Sequence, residues 1–236
     1  RSGQYPVVVE GLTKKYGETA VFSNLNYTFE NTCIYGLVGR NGAGKTTLLN
    51  ILSNYDKNYT GVISIDGEKM NKVDYLDMPV AYAMDQPSFF NELTIYENLL
   101  LIASSRKIKK QEAFDKIERI LDGLGLKKYE NYSPLELSKG TMQRLNNACA
   151  MIQEEKITIF DEPFSGLDPV QMKLLENVIV EFHKKEKGIY IISSHDIECL
   201  QNVCDKCLLL HNGQIREINT EEVDREKIAK ILSEGE

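Results

Sequence analysis

Four short stretches carry residue types whose spacing fits phosphoryl chemistry. Gly39-Arg40-Asn41-Gly42-Ala43-Gly44-Lys45-Thr46 places a glycine-rich loop directly before a lysine and a hydroxyl. Glycines let backbone N–H groups converge on phosphate oxygens, and the N-terminus of a following helix adds its positive dipole end. Lys45 can then reach the β- and γ-phosphates, and the Thr46 hydroxyl can ligate Mg2+. Ile157-Thr158-Ile159-Phe160-Asp161-Glu162-Pro163 is an apolar run ending in two acids, of which the first suits a Mg2+ shell and the second the polarisation of an attacking water. His195 follows the apolar run Tyr190-Ile191-Ile192-Ser193-Ser194 and is either a structural cap or a neutral imidazole bonded to a γ-phosphate. The heptad Leu137-Ser138-Lys139-Gly140-Thr141-Met142-Gln143 has no role in an ordinary monomeric phosphate-loop enzyme. Its Ser-x-Gly core is suited to gripping phosphates.

The elements that must position these residues are legible as periodicities. Pro6–Glu10, Val21–Phe29 and Thr32–Val38 alternate apolar and polar residues as strands do, and the last runs straight into the glycine loop. Thr46-Thr47-Leu48-Leu49-Asn50-Ile51-Leu52 has helical spacing, so the loop stands between a strand and a helix, the context a phosphate site requires. Thr60–Gly67 and Pro79–Met84 read as further strands. From Leu93 to about Tyr132 the pattern turns helical, with Ile117, Ile120, Leu121 and Leu124 on one face. Strands then return at Ile157–Phe160 and Ile189–Ser193, with a helix over Pro169–Lys187 between them. That alternation predicts an α/β fold with a mainly parallel sheet. His211-Asn212-Gly213-Gln214 predicts a hairpin with a type I′ turn. A short C-terminal helix is expected from Thr220 onward, with Val223, Ile228, Ile231 and Leu232 on its apolar face.

Composition narrows the function classes. Lys and Arg number 28 against 35 Asp and Glu, a net charge of −7, so no global basic field recruits nucleic acid. The one dense basic stretch, Arg106-Lys107-Ile108-Lys109-Lys110, reads as a solvated helix face, with contact to a membrane partner or lipid headgroups as the alternative. No apolar run reaches the roughly 18–20 residues that span a bilayer. The first residues, Arg1 to Pro6, lack the apolar stretch of a secretory signal, which leads to an expectation of a cytoplasmic protein. Of the five cysteines, Cys204 and Cys207 have metal or redox spacing, but no second pair completes a four-ligand site. Reduced structural thiols are the expectation.

Taken in this order, the loop, the heptad, the acidic pair and the histidine resemble the nucleotide-binding domain of an ATP-binding cassette (ABC) transporter, over roughly residues 7–215. The resemblance implies a phosphate-loop NTPase core at about 1–87 and 143–236, an N-terminal antiparallel β subdomain, and a helical subdomain inserted at about 88–142. It implies an ATPase using ATP and Mg2+. Gly39, Arg40, Asn41, Gly42, Ala43, Gly44, Lys45, Thr46 and Thr47 are expected to bind nucleotide, and Tyr16 to stack on adenine. Thr46, Gln86 and Asp161 are expected around the metal. Glu162 is expected as general base, with His195, Gln86 and Lys45 completing the catalytic set. Ser138, Gly140 and Asp168 are expected to act in trans across a dimer. The family signature is usually Leu-Ser-Gly-Gly-Gln, whereas Lys139 and Thr141 depart from it in this chain. Cys149 stands where the family often has arginine.

The function implied is that of an ATP-binding and hydrolysing subunit, in a homo- or heterodimer, powering a separate transmembrane permease on the inner face of the cell membrane. Export of a drug, peptide or ion is favoured over import, because no C-terminal regulatory domain fits after Gln214 and the Ser-Lys-Gly signature resembles exporter subunits. Mechanical work at the membrane without transport is the alternative. A soluble relative acting on nucleic acid or ribosomes is a further one, disfavoured because only 50 residues separate Gln86 from Leu137, too few for an inserted coiled coil. No nucleic-acid partner is expected.

Overall fold

The computed structural model describes residues 6–74 and 77–218. The C-terminal helix expected around Val223 to Leu232, and the first five residues, lie outside the described residues.

Strands β1 (Val7–Tyr16), β2 (Thr19–Phe29), β4 (Thr60–Ile65) and β5 (Glu68–Lys69) form an antiparallel sheet in the order β2-β1-β4-β5. β1 is longer than the expected Pro6–Glu10. Its register with β2 shifts between Val9 and Leu12, around Gly11 at φ +61°. The bulge breaks strict alternation in the sequence, yet Leu12 and Lys14 beyond it still point inward and are buried.

The second sheet has the order β10-β9-β3-β8-β7-β6. It comprises β3 (Ile34–Val38), β6 (Val80–Ala83), β7 (Ile157–Phe160), β8 (Ile189–Ser194), β9 (Lys206–His211) and β10 (Gln214–Ile218). Every pairing is parallel except that of β9 with β10. Their connecting residues Asn212 and Gly213 sit at φ +48° and +70°, as the expected type I′ turn requires. β3, β7 and β8 are buried along their whole length because the sheet is covered on both faces.

Period-two alternation along the central strands feeds two cores. Ile157, Ile159, Ile189 and Ile191 pack with the antiparallel sheet and with α1 (Lys45–Leu52). Phe160, Tyr190 and Ile192 pack on the other side against the helices. These are α2 (Ile95–Ser105), α3 (Lys110–Gly123), α4 (Lys139–Met151) and α5 (Pro169–Glu186), followed by the short α6 (Glu198–Gln201).

The helix starts follow local chemistry. Thr94 and Glu97 form a capping box on α2, Asp168 and Gln171 form another on α5 with Pro169 in its first turn, and Ser138 caps α4. α4 is continuous from Lys139 to Met151, so the expected 142/143 boundary falls within a helix. The basic stretch 106–110 is not a helix face. Lys107 at φ +58° turns the chain between α2 and α3, and Arg106 is drawn inward by Gln153 Oε1 at 2.8 Å and Glu155 at 3.1 Å.

Candidate nucleotide site

The loop after β3 reaches α1 through Gly44, which has φ +100°. A Cβ there would stand 2.7 Å from Val21 Cγ1 on β2, so only glycine lets the loop lie this close to the antiparallel sheet. The turn buries Lys45, whose Nζ donates to the carbonyls of Gly39 and Arg40, at 3.0 Å for the latter. Burial lowers the Lys45 pKa, while the Glu162 and Asp161 carboxylates act in the opposite sense.

Asp161 and Glu162 leave the end of β7 beside this loop. Thr46 Oγ1 donates to Asp161 Oδ2 at 2.9 Å, and Ser193 Oγ donates to Asp161 Oδ1 at 2.7 Å. Asp161 is thereby buried with hydroxyl donors on each oxygen. Glu162 turns the other way because its backbone is left-handed, at φ +49°. Its carboxylate meets His195 Nδ1 at 3.1 Å through Oε2, and Oε1 lies 3.8 Å from Lys45 Nζ. Burial raises the Glu162 pKa above the usual carboxylate range, with His195 and then Lys45 opposing that rise.

These groups share one open cavity of about 500 Å3, lined among others by Tyr16, Asn41, Gly42, Gly44, Lys45, Thr46, Thr47, Asp161, Glu162 and His195. Gly39 and Arg40 enter through the carbonyls that hold Lys45, while Ala43 closes the loop with its N–H on the Arg40 carbonyl at 3.0 Å. Tyr16 stands exposed at the rim, with Lys14 Nζ 4.8 Å from its ring centroid. Val21, Asp85 and Ser165 also line the cavity; Ser165 opens the stretch Ser165-Gly166-Leu167-Asp168 that holds Asp168 and Asp85 precedes Gln86, while no motif in the sequence points to Val21. Ser193 is a further site residue that sequence reasoning misses. It precedes His195 by two, and that i, i+2 spacing along a strand leading into the site is the available signal.

Other expected site residues lie elsewhere. Gln86 is exposed and does not line the cavity, although its neighbour Asp85 does. Nor do Ser138, Gly140 and Asp168. Ser138 and Lys139 are exposed at the start of α4. A Cβ on Gly140 would meet Gln171 Oε1 at 3.1 Å and the Gly166 carbonyl at 3.3 Å, so this glycine lets α4 approach the start of α5. Thr141 is buried and its hydroxyl pairs with Ser138 Oγ at 2.8 Å, so this departure from the family signature is accommodated inward. Cys149 is buried, and burial pushes its thiol up to about 12.

Comparison with known proteins identifies the family. A family profile described as ABC transporter matches residues 22–165. An uncharacterized ABC transporter ATP-binding protein of Methanocaldococcus jannaschii is 32% identical over 88% of this chain and 75% of its own length. A bacitracin transport ATP-binding protein of Enterococcus faecalis is 31% identical over 94% of this chain and 72% of its own. A tungstate uptake system ATP-binding protein of Peptoclostridium acidaminophilum is 29% identical over 89% and 97%. A solved ATP-binding subunit of an ABC transporter superposes with a TM-score of 0.83 at 27% identity, covering 94% of this chain and 92% of that one. The chain therefore belongs to the ABC transporter family, as an ATP-binding subunit of the ATP-hydrolysing kind.

Proposed function

We propose that the chain hydrolyses ATP at a site shared between two copies, or between this chain and a similar one, and that closure of this dimer drives a separate membrane permease of export type. One observation carries the reading. Lys45, Thr46, Asp161, Glu162 and His195 converge on one cavity, while Ser138 and Gly140 stand outside it at the start of α4. Ser138 of one chain would complete the cavity of the other, with Asp168 at the same junction.

The cavity's residues fit Mg2+ as well as nucleotide. Thr46 Oγ1 and Asp161 Oδ2 are hard oxygen donors 2.9 Å apart. Mg2+ characteristically takes one or two such groups together with phosphates and water. When bound, the ion supplies charge neutralisation on the phosphates. The rest is done by side chains. Lys45 exchanges the Gly39 and Arg40 carbonyls for phosphate oxygens, and Tyr16 offers its exposed ring to adenine. Glu162 accepts a proton from the water that attacks the γ-phosphorus, releasing ADP and phosphate. His195, bonded to Glu162, holds the carboxylate and the γ-phosphate in one arrangement. Gln86 joins this site to the helical subdomain when nucleotide binds.

ATP binding favours the closed dimer by its differential affinity for that state. A permease on another chain, with this one at the membrane's inner face, draws on the ATP-binding proteins of transport systems that the chain resembles; among the described residues no helix is long and apolar enough to cross a membrane. The export direction draws on the bacitracin transport proteins, at 31% and 34% identity, set against 29% for the tungstate uptake protein and 28% for a sulfate/thiosulfate import protein.

Glu162→Gln tests the chemistry. It should bind ATP within about threefold of the native affinity and lose turnover by roughly 100-fold or more, the scale of a missing general base. Native turnover by this variant would remove Glu162 from its role. Substrate uptake into inside-out vesicles carrying the co-purified permease tests direction, and ATP-driven efflux from them would contradict export.

A further inference from the structure

We propose that Ser193 is a positioning residue for ATP hydrolysis, setting the geometry of both members of the acidic pair through one hydroxyl. This rests on the roles proposed above for Asp161 and Glu162. Ser193 is fully buried near the end of β8, after the apolar run Ile189-Tyr190-Ile191-Ile192. A hydroxyl there is tolerated only with its hydrogen-bonding capacity used. Ser193 Oγ donates to Asp161 Oδ1 at 2.7 Å and accepts from the Glu162 backbone N–H at 2.9 Å.

The two bonds do different things. The first fixes the rotation of the Asp161 carboxylate, so that Oδ2 remains directed at Thr46 Oγ1. The second pins the peptide preceding the Glu162 side chain, at a residue whose backbone is left-handed at φ +49°. On the other side, the Glu162 carbonyl accepts from Ser165 N–H at 3.1 Å and from Gln143 Nε2 at 3.3 Å. The Glu162 carboxylate is therefore aimed by a residue whose two flanking peptides are both held. Through its one hydroxyl Ser193 touches both acids. No role in ATP binding follows, because Ser193 does not line the cavity.

The test compares Ser193→Ala, Ser193→Val and Ser193→Thr, reading kcat, the affinity for a fluorescent ATP analogue and the thermal unfolding midpoint. Valine and threonine share a shape and differ in the hydroxyl. Alanine and valine should lower kcat about 10- to 100-fold, the scale of a small misplacement of catalytic groups. Nucleotide affinity should stay within about threefold, the split expected for an interaction made only in the transition state. Threonine should restore most of kcat. Native kcat in the alanine variant would overturn the proposal, as would equal impairment of threonine and valine. So would joint loss of affinity, midpoint and kcat in the variants, which would make Ser193 a folding residue. Glu162→Gln measured alongside separates the two possible failures. Turnover by that variant removes the base assignment, whereas an inactive Glu162→Gln beside a native-like Ser193→Ala removes only the positioning role of Ser193.

Discussion

Glu162 combines three unusual properties: a left-handed backbone without being glycine, a half-buried carboxyl, and a histidine at hydrogen-bond distance. Non-glycine residues in this conformation are held by their surroundings, and of those in the described residues Glu162 is the one that lines the cavity. The pKa direction gives a prediction. A base works ionised, and burial raises the Glu162 pKa, so kcat/KM should climb with pH on an acid limb above the usual carboxylate range. His195 is the foremost influence lowering that pKa, so His195→Ala should move the limb of the residual activity to higher pH. A pH–rate profile of both proteins checks this, and a limb that stays put or moves down would separate His195 from Glu162. At this scale the sequence is informative where a residue type is chemically distinctive, as with Lys45, Asp161 and His195. For Ser193 it offers only the spacing to His195, because an ordinary serine acquires its role only when β7 and β8 pair and bring it against Asp161.

Elements carry a different load. α4 begins at the exposed signature and then runs inward, where its polar side chains tie it to neighbouring backbone. Arg144 reaches the Leu124 carbonyl at 2.6 Å, Asn146 the Met84 carbonyl at 2.7 Å and Asn147 the Pro163 carbonyl at 3.3 Å. The helix thus touches the segment just before Gln86 and the residue just after Glu162. Its polar positions hide its burial from hydrophobic periodicity, which is why the sequence suggests a domain boundary inside it. The bulge in β1 and the turn at Lys107 are hidden for a related reason, since each interrupts a period by local backbone geometry. α2 offers a clean stability test away from the cavity. Thr94 accepts from Glu97 N–H at 3.1 Å, and Glu97 returns a bond to Thr94 N–H at 2.8 Å. Thr94→Ala should cost about 0.5–2 kcal/mol in urea unfolding with little change in kcat. A loss well below that range would mean the cap is replaced by water.

For the whole molecule, two sheets and a helical layer build two cores that share the central parallel strands. The C-terminal ends of β7 and β8 meet the glycine loop after β3, the place where open α/β sheets gather ligand sites. That much follows from the alternation of strands and helices in the chain, and the membership of the ABC transporter family agrees with it. The cavity assembled this way contains the loop, the acids and the histidine but lacks the signature, whose start on α4 is solvent-exposed. In the proposed dimer a second chain supplies it. The direct measurement is the light-scattering mass of the Glu162→Gln chain with and without ATP and Mg2+, repeated with Ser138→Arg added. A shared site predicts a monomer without nucleotide, a doubling of mass with it, and loss of that doubling in the double variant. A dimer indifferent to Ser138→Arg would contradict it, and a monomer that binds ATP yet never doubles would contradict sharing between two copies and leave only a similar chain as the partner.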